Sequence, residues 1–70
     1  MSQFAKNLKT IRKTNKKSQI ELSRHLGYGN TAISNYESGR NEPSIDDLIK
    51  IADYFGVSMD HLVGREYNRE

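Results

Sequence analysis

Residues 19–39, QIELSRHLGYGNTAISNYESG, constrain the fold more than any other stretch, because their apolar residues are spaced for two short helices packed across one tight turn. Leu22 and Leu26 are four apart and share one face of a first helix. Ile33 and Tyr36 are three apart and share one face of a second. Four apolar anchors therefore meet in a small wedge. Gly27 follows Leu26 directly, where a helix that stops abruptly favours a residue free to take positive φ. Ser23 falls where the two helices approach most closely, and its small side chain allows the approach. Asn30, Thr31, Ser34 and Asn35 remain outward, a polar stripe with little to do inside a core.

Further helices flank this pair. Phe4, Leu8 and Ile11 recur at i, i+4 and i+7, which predicts an amphipathic first helix over residues 3–14. Ser18 and Glu21 form a capping box, starting a second helix over 19–26. A third is expected over 30–38, although only Ala32 and Glu37 in it are good helix formers, so packing must hold it. Gly39 stops it. Pro43 breaks the chain before Ser44 and Asp47 cap a fourth helix over 45–55, with Ile45, Leu48, Ile49, Ala52 and Phe55 as the expected buried stripe. Ser58 caps a short fifth helix over 59–63, which Gly64 closes. Residues 65–70 read as a polar tail or the start of a further segment. No strand pattern or repeat is present in the sequence.

Seventy residues allow one domain, near the lower limit for a core without covalent staples. There is no cysteine, hence no disulfide or thiolate metal site. No apolar run approaches the roughly 20 residues that span a bilayer, and the N-terminus lacks a signal-peptide segment. The expected product is soluble and cytoplasmic, without membrane contact. Net charge is only +2, but residues 1–20 carry +6, residues 21–42 carry −1 and residues 43–70 carry −3. One half can face a polyanion while the other turns away, although charge alone fits a merely solvated lysine-rich face equally well.

The central motif, the LKTIR-like first helix at Leu8–Arg12, the YESGRNEPS passage at Tyr36–Ser44 and the LIKIADYFGVSMDHLVG ending at Leu48–Gly64 together resemble the lambdoid phage repressor and Cro family, the Xre-like group of regulators. The resemblance covers nearly the whole chain. It implies an all-α, compact five-helix lambda-repressor-like domain, residues 1–64, whose second and third helices form a helix-turn-helix. In such proteins the third helix enters the major groove of double-stranded DNA. The matching base-reading positions are Asn30, Thr31, Ser34 and Asn35. An asparagine amide suits adenine, and a threonine methyl suits thymine. No arginine or lysine lies in the stripe to fork onto guanine, so readout should lean toward A·T pairs and DNA shape.

The resemblance assigns phosphate contact to Gln19 at the start of the second helix, with Ser18, Arg40, Lys16 and Lys17 as further candidates. Similar proteins join the positions of Arg12 and Glu37 in a partly buried ion pair. Tyr36 is expected to pack its ring beneath the third helix with its hydroxyl toward phosphate. Relatives commonly bind palindromic operators as homodimers, with reading helices about 34 Å apart. Met59, Leu62 and Val63 are the expected dimer contacts, extended by Tyr54 and Tyr67; the competing expectation is that Leu62 and a neighbour simply cap the core.

The chain departs from the family pattern in three places. Lys16 and Lys17 stand where a glycine and an apolar residue are usual, so Asn15 is expected to make the turn. Tyr28 replaces a smaller aliphatic residue, and Ser23 an alanine.

His25 and His61 lack further ligands for a metal, and Asp46-Asp47 is explained by capping and the helix dipole. With no nucleophile, phosphate loop or acid–base pair, neither an enzyme nor a cofactor is expected. The leading expectation is a DNA-binding regulator, most simply a phage, prophage or bacterial repressor. The alternative is a protein-interaction module or antitoxin-type partner binder, or one half of a longer regulator with a C-terminal domain.

Overall fold

The computed structural model describes residues 3–64, and the tail with Tyr67 lies outside the described residues. Five helices follow one another: α1 Gln3–Thr14, α2 Gln19–His25, α3 Ala32–Glu37, α4 Ile45–Phe55 and α5 Met59–Val63. They enclose one core of Phe4, Leu8, Leu22, Leu26, Ile33, Ile51, Ala52 and Leu62. Packing of α2 on α3, of α1 on α3 and α5, and of α4 on α5 closes the bundle.

Local chemistry sets most helix ends. Ser18 Oγ accepts the Glu21 amide at 3.0 Å while the Ser18 amide donates to Glu21 Oε1 at 3.3 Å, a reciprocal capping box. Ser44 and Ser58 cap α4 and α5 one-sidedly, each hydroxyl accepting only the amide three residues on, of Asp47 and His61. At the other end of α2, Gly27 takes φ +78° and the Tyr28 amide returns to the Ser23 carbonyl at 2.8 Å, so the chain reverses within two residues.

The end of α1 corrects the expectation for Asn15. Lys16, not Asn15, takes the left-handed conformation, with φ +59°. The Lys16 amide bonds to Lys13 O at 3.0 Å and the Lys17 amide to Arg12 O at 3.1 Å, the paired bonds of a Schellman cap. Asn15 instead folds its side-chain amide back onto Ile11 O at 2.8 Å. A non-glycine residue in this region costs roughly 1–2 kcal/mol, part of which glycine returns through its freer unfolded state. Lys16→Gly is therefore expected to raise stability by about 0.5–1 kcal/mol in urea unfolding. A loss of stability would show that the lysine side chain makes a compensating contact.

Helix α3 is shorter than its expected span, starting at Ala32 and ending at Glu37. Its Thr31 N-cap makes no side-chain bond to the helix. The missing cap comes from another helix: Ser23 Oγ, fully buried on α2, accepts the Ile33 amide at 3.1 Å. The serine that replaces the family's alanine thus does more than keep its helices close.

The expected stripe of α4 also needs correction. Ile45 and Ile49 are 69% and 42% exposed, whereas Ile51 is fully buried. At 100° per residue, Leu48, Ile51, Ala52 and Phe55 share one arc, and Ile45 and Ile49 fall on its flank beside Asp53. At the far end, Asn7 Nδ2 donates to the carbonyls of His61 and Leu62 at 3.2 and 3.3 Å, tying the last turn of α5 to α1.

Candidate nucleic-acid interface

The six-residue α3 is too short to hold itself, and its geometry is imposed from two sides. On one side, Arg12 Nε donates to Glu37 Oε2 at 2.7 Å and Arg12 Nη2 to Glu37 Oε1 at 3.1 Å, a two-pronged pair joining α1 to α3. Both residues are buried, at 7% and 9% exposure. Arg12 Nη1 also donates to Lys17 O at 2.8 Å, and Gln19 Nε2 donates to Glu37 Oε1 at 3.0 Å. Each guanidinium nitrogen therefore has an acceptor; α1 and α2 converge on the Glu37 carboxylate of α3, while the first turn meets the guanidinium.

On the other side, Tyr28 Oη donates to Asp47 Oδ1 at 2.8 Å and Tyr36 Oη to Asp47 Oδ2 at 3.0 Å. The expectation for the Tyr36 hydroxyl is thereby corrected: it bonds to α4 within the domain. Burial, reinforced by the carboxylate, raises the Tyr36 hydroxyl pKa to about 12 and drives that of Tyr28 higher still. The Tyr28 hydroxyl, helped by Tyr36 and Ser44 and opposed by desolvation, holds Asp47 below the ordinary carboxylate range. Both tyrosines are thus donors and Asp47 an acceptor throughout the neutral range. This coupling was missed in the sequence because nothing in residue spacing pairs Asp47 with tyrosines 11 and 19 positions earlier. The one signal was the large Tyr28 at a turn that usually holds a smaller residue.

Of the stripe residues, Asn30 and Thr31 are exposed in the turn before α3, and Ser34 and Asn35 are half-buried on the helix itself. Ser34 Oγ donates to the Thr31 carbonyl at 3.0 Å, which steadies this approach turn. Gln19, half-buried, opens α2 with its amide already oriented by Glu37. Ser18 and Lys16 are exposed, and Lys17 lies 3.7 Å from Glu21. Arg40 is exposed just beyond α3. Met59 and Val63 are half-buried, but Leu62 is fully enclosed, so it is a core residue with no surface for a dimer contact. Tyr54 packs against Phe55 and His25, with ring centres 4.9 and 5.8 Å away.

Among the described residues no three acidic, histidine or cysteine side chains cluster as a metal site, and no helix is long and apolar enough to cross a membrane.

The geometry has close counterparts. The helix-turn-helix family matches residues 8–62. The chain is 36% identical over 63 residues to the transcriptional regulator ImmR of Bacillus subtilis, covering 90% of this chain and 50% of ImmR. It is 39% identical over 54 residues to the cryptic phage CTXphi transcriptional repressor RstR of Vibrio cholerae, covering 77% of this chain and 48% of RstR. The chain thus spans about half the length of both regulators. Its backbone superposes on the P22 c2 repressor, solved with a synthetic operator, with a TM-score of 0.83 at 26% identity, over 94% of this chain and all of that one. The chain belongs to the Xre-like helix-turn-helix family of DNA-binding transcriptional regulators.

Proposed function

We propose that this chain is the DNA-reading domain of a cytoplasmic transcriptional repressor of phage, prophage or bacterial origin, binding a palindromic operator in double-stranded DNA as a homodimer. The observation that carries the reading is the clamping of a six-residue α3 from two sides beside an outward polar set, Asn30, Thr31, Ser34 and Asn35. A reading helix needs that combination, because base contacts discriminate only if the helix cannot shift to suit any sequence. The +6 block in residues 1–20 supports approach to a polyanion. RstR, whose name describes a phage repressor, and the operator-bound P22 c2 repressor support the same assignment.

In this reading α3 and its approach turn enter the major groove. Asn30, Thr31, Ser34 and Asn35 meet base edges, while Gln19, Ser18, Arg40, Lys16 and Lys17 meet phosphates. Met59 and Val63 are the apolar α5 residues that keep some surface to offer a second copy, beside the exposed Asp60 and His61. Occupying a promoter would then block transcription.

A second reading, a protein-partner module of the antitoxin type, draws on the exposed Ile45 and Ile49. The two separate in a binding-site selection from random duplex DNA, repeated with Asn35→Ala across a salt series. The proposal expects a palindromic, A·T-leaning site, with Asn35→Ala weakening it by about 1–3 kcal/mol. Salt-sensitive binding without an enriched site, shared by the variant, would transfer the assignment to the partner module.

A further inference from the structure

We propose that Asp47 is a positioning residue for DNA reading: from the first turn of α4, one carboxylate sets the orientation in which α3 is presented. The proposal rests on the DNA-reading function argued above.

The geometry is that of a bracket. Oδ1 takes the Tyr28 hydroxyl from the α2–α3 turn, and Oδ2 takes the Tyr36 hydroxyl from α3 itself. A planar group bonded at both ends to points eight residues apart fixes a direction as well as a distance. The backbone that carries the carboxylate is itself held in place, since the Asp47 amide donates to Ser44 Oγ at 3.1 Å. The rings are boxed in as well. Tyr36 meets Tyr28 edge to face at 6.4 Å and Phe4 at 5.9 Å, and the Lys50 ammonium lies 5.0 Å over the Tyr28 ring.

Rotation of α3 about its own axis is what this bracket controls. Tyr36 and Glu37 are adjacent, so their side chains leave the helix about 100° apart. Glu37 is fastened toward α1 and α2, and Tyr36 toward α4. Ser23 already ties the start of α3 through the Ile33 amide; toward its end one fastening alone would leave a hinge, and two at this angle fix the face turned outward. With a helix of six residues and no side-chain bond from Thr31, nothing local replaces the second fastening. Because the carboxylate is hydrogen-bonded to the two tyrosine hydroxyls rather than to a stripe residue, it acts through the tyrosines.

The test compares binding to the selected site with binding to a scrambled duplex of equal length, at one salt concentration and below the thermal midpoint of every variant. Taking the ratio of the two affinities removes the effect of folded fraction, which a merely structural role would change. Asp46→Asn, an exposed neighbour with the same charge change, controls for electrostatics. Asp47→Asn is expected to lower the ratio by about tenfold, and Asp46→Asn to leave it within about twofold. Tyr28→Phe with Tyr36→Phe should reproduce the loss, and adding Asp47→Asn to that pair should lower the ratio no further.

A folded Asp47→Asn variant that keeps the wild-type ratio overturns the proposal while leaving the DNA reading intact, and so does a loss that simply adds to that of the tyrosine pair. If Asp47→Asn does not fold, Tyr28→Phe alone decides, since it leaves Asp47 bonded to Tyr36 and Ser44: a reduced ratio supports the bracket and an unchanged one removes it. A wild-type chain with no preferred site overturns the DNA reading and the positioning role with it.

Discussion

Glu37→Ala is expected to lower the unfolding free energy by about 3 kcal/mol or more, a large part of what a domain of this size possesses. The loss exceeds the worth of the hydrogen bonds removed. Arg12 Nε and Nη2 would be left inside the protein without an acceptor, retaining only the bond from Nη1 to the Lys17 carbonyl, and Gln19 would lose its partner too. With both side chains under one-tenth exposed, water cannot reach the stranded guanidinium without opening the contact between α1 and α3. The thermal midpoint should fall by more than about 10 °C. The double variant Arg12→Met/Glu37→Leu removes both charges together and should cost much less, because an ion pair of this kind contributes little net stability once desolvation is counted. Urea unfolding of the two variants checks the account, and equal losses in both would show that packing volume, rather than a stranded charge, governs the site.

Signals that act within a few residues were legible in the sequence. Ser18 with Glu21, Ser44 with Asp47 and Ser58 with His61 carry their caps in their spacing, and these set the starts of α2, α4 and α5. What escaped local reading depends on residues distant in the chain. The start of α3 is displaced because its cap is the Ser23 hydroxyl on another helix. Ile45 and Ile49 are apolar and correctly spaced, yet the arc turned to the core is centred nearer Ile51, which only the placement of α4 against its neighbours decides.

The Arg12–Glu37 pairing was readable through family resemblance alone, since nothing in the spacing of two charges 25 residues apart joins them. The bracket at Asp47 had neither kind of signal. Its tyrosine at the turn is the chain's own departure from the pattern, and its acid already had a sufficient explanation in the helix start.

Leu62→Ala is the second large effect, expected to cost about 2–5 kcal/mol. Leu62 is fully enclosed in the same cluster as Phe4, Leu8 and Ile51. A helix of five residues has no independent stability, so α5 stays on the body through this side chain, aided by the two bonds from Asn7 to its last carbonyls. Truncation would leave a cavity at the only fully buried residue of α5, and the helix would come loose before the rest of the domain. An interface role makes a different demand. A Leu62 exposed in the monomer would lose less than about 0.5 kcal/mol on truncation, with the larger effect appearing only where the chain is concentrated enough to associate. Urea unfolding at two protein concentrations about a hundredfold apart separates the cases. The expected result is the same lowered midpoint at both; a loss confined to the higher concentration would return Leu62 to the surface. If the midpoint falls equally, the apolar part of any dimer contact made by this helix has to come from the half-buried Met59 and Val63, whose substitution should alter association while leaving the monomer fold in place.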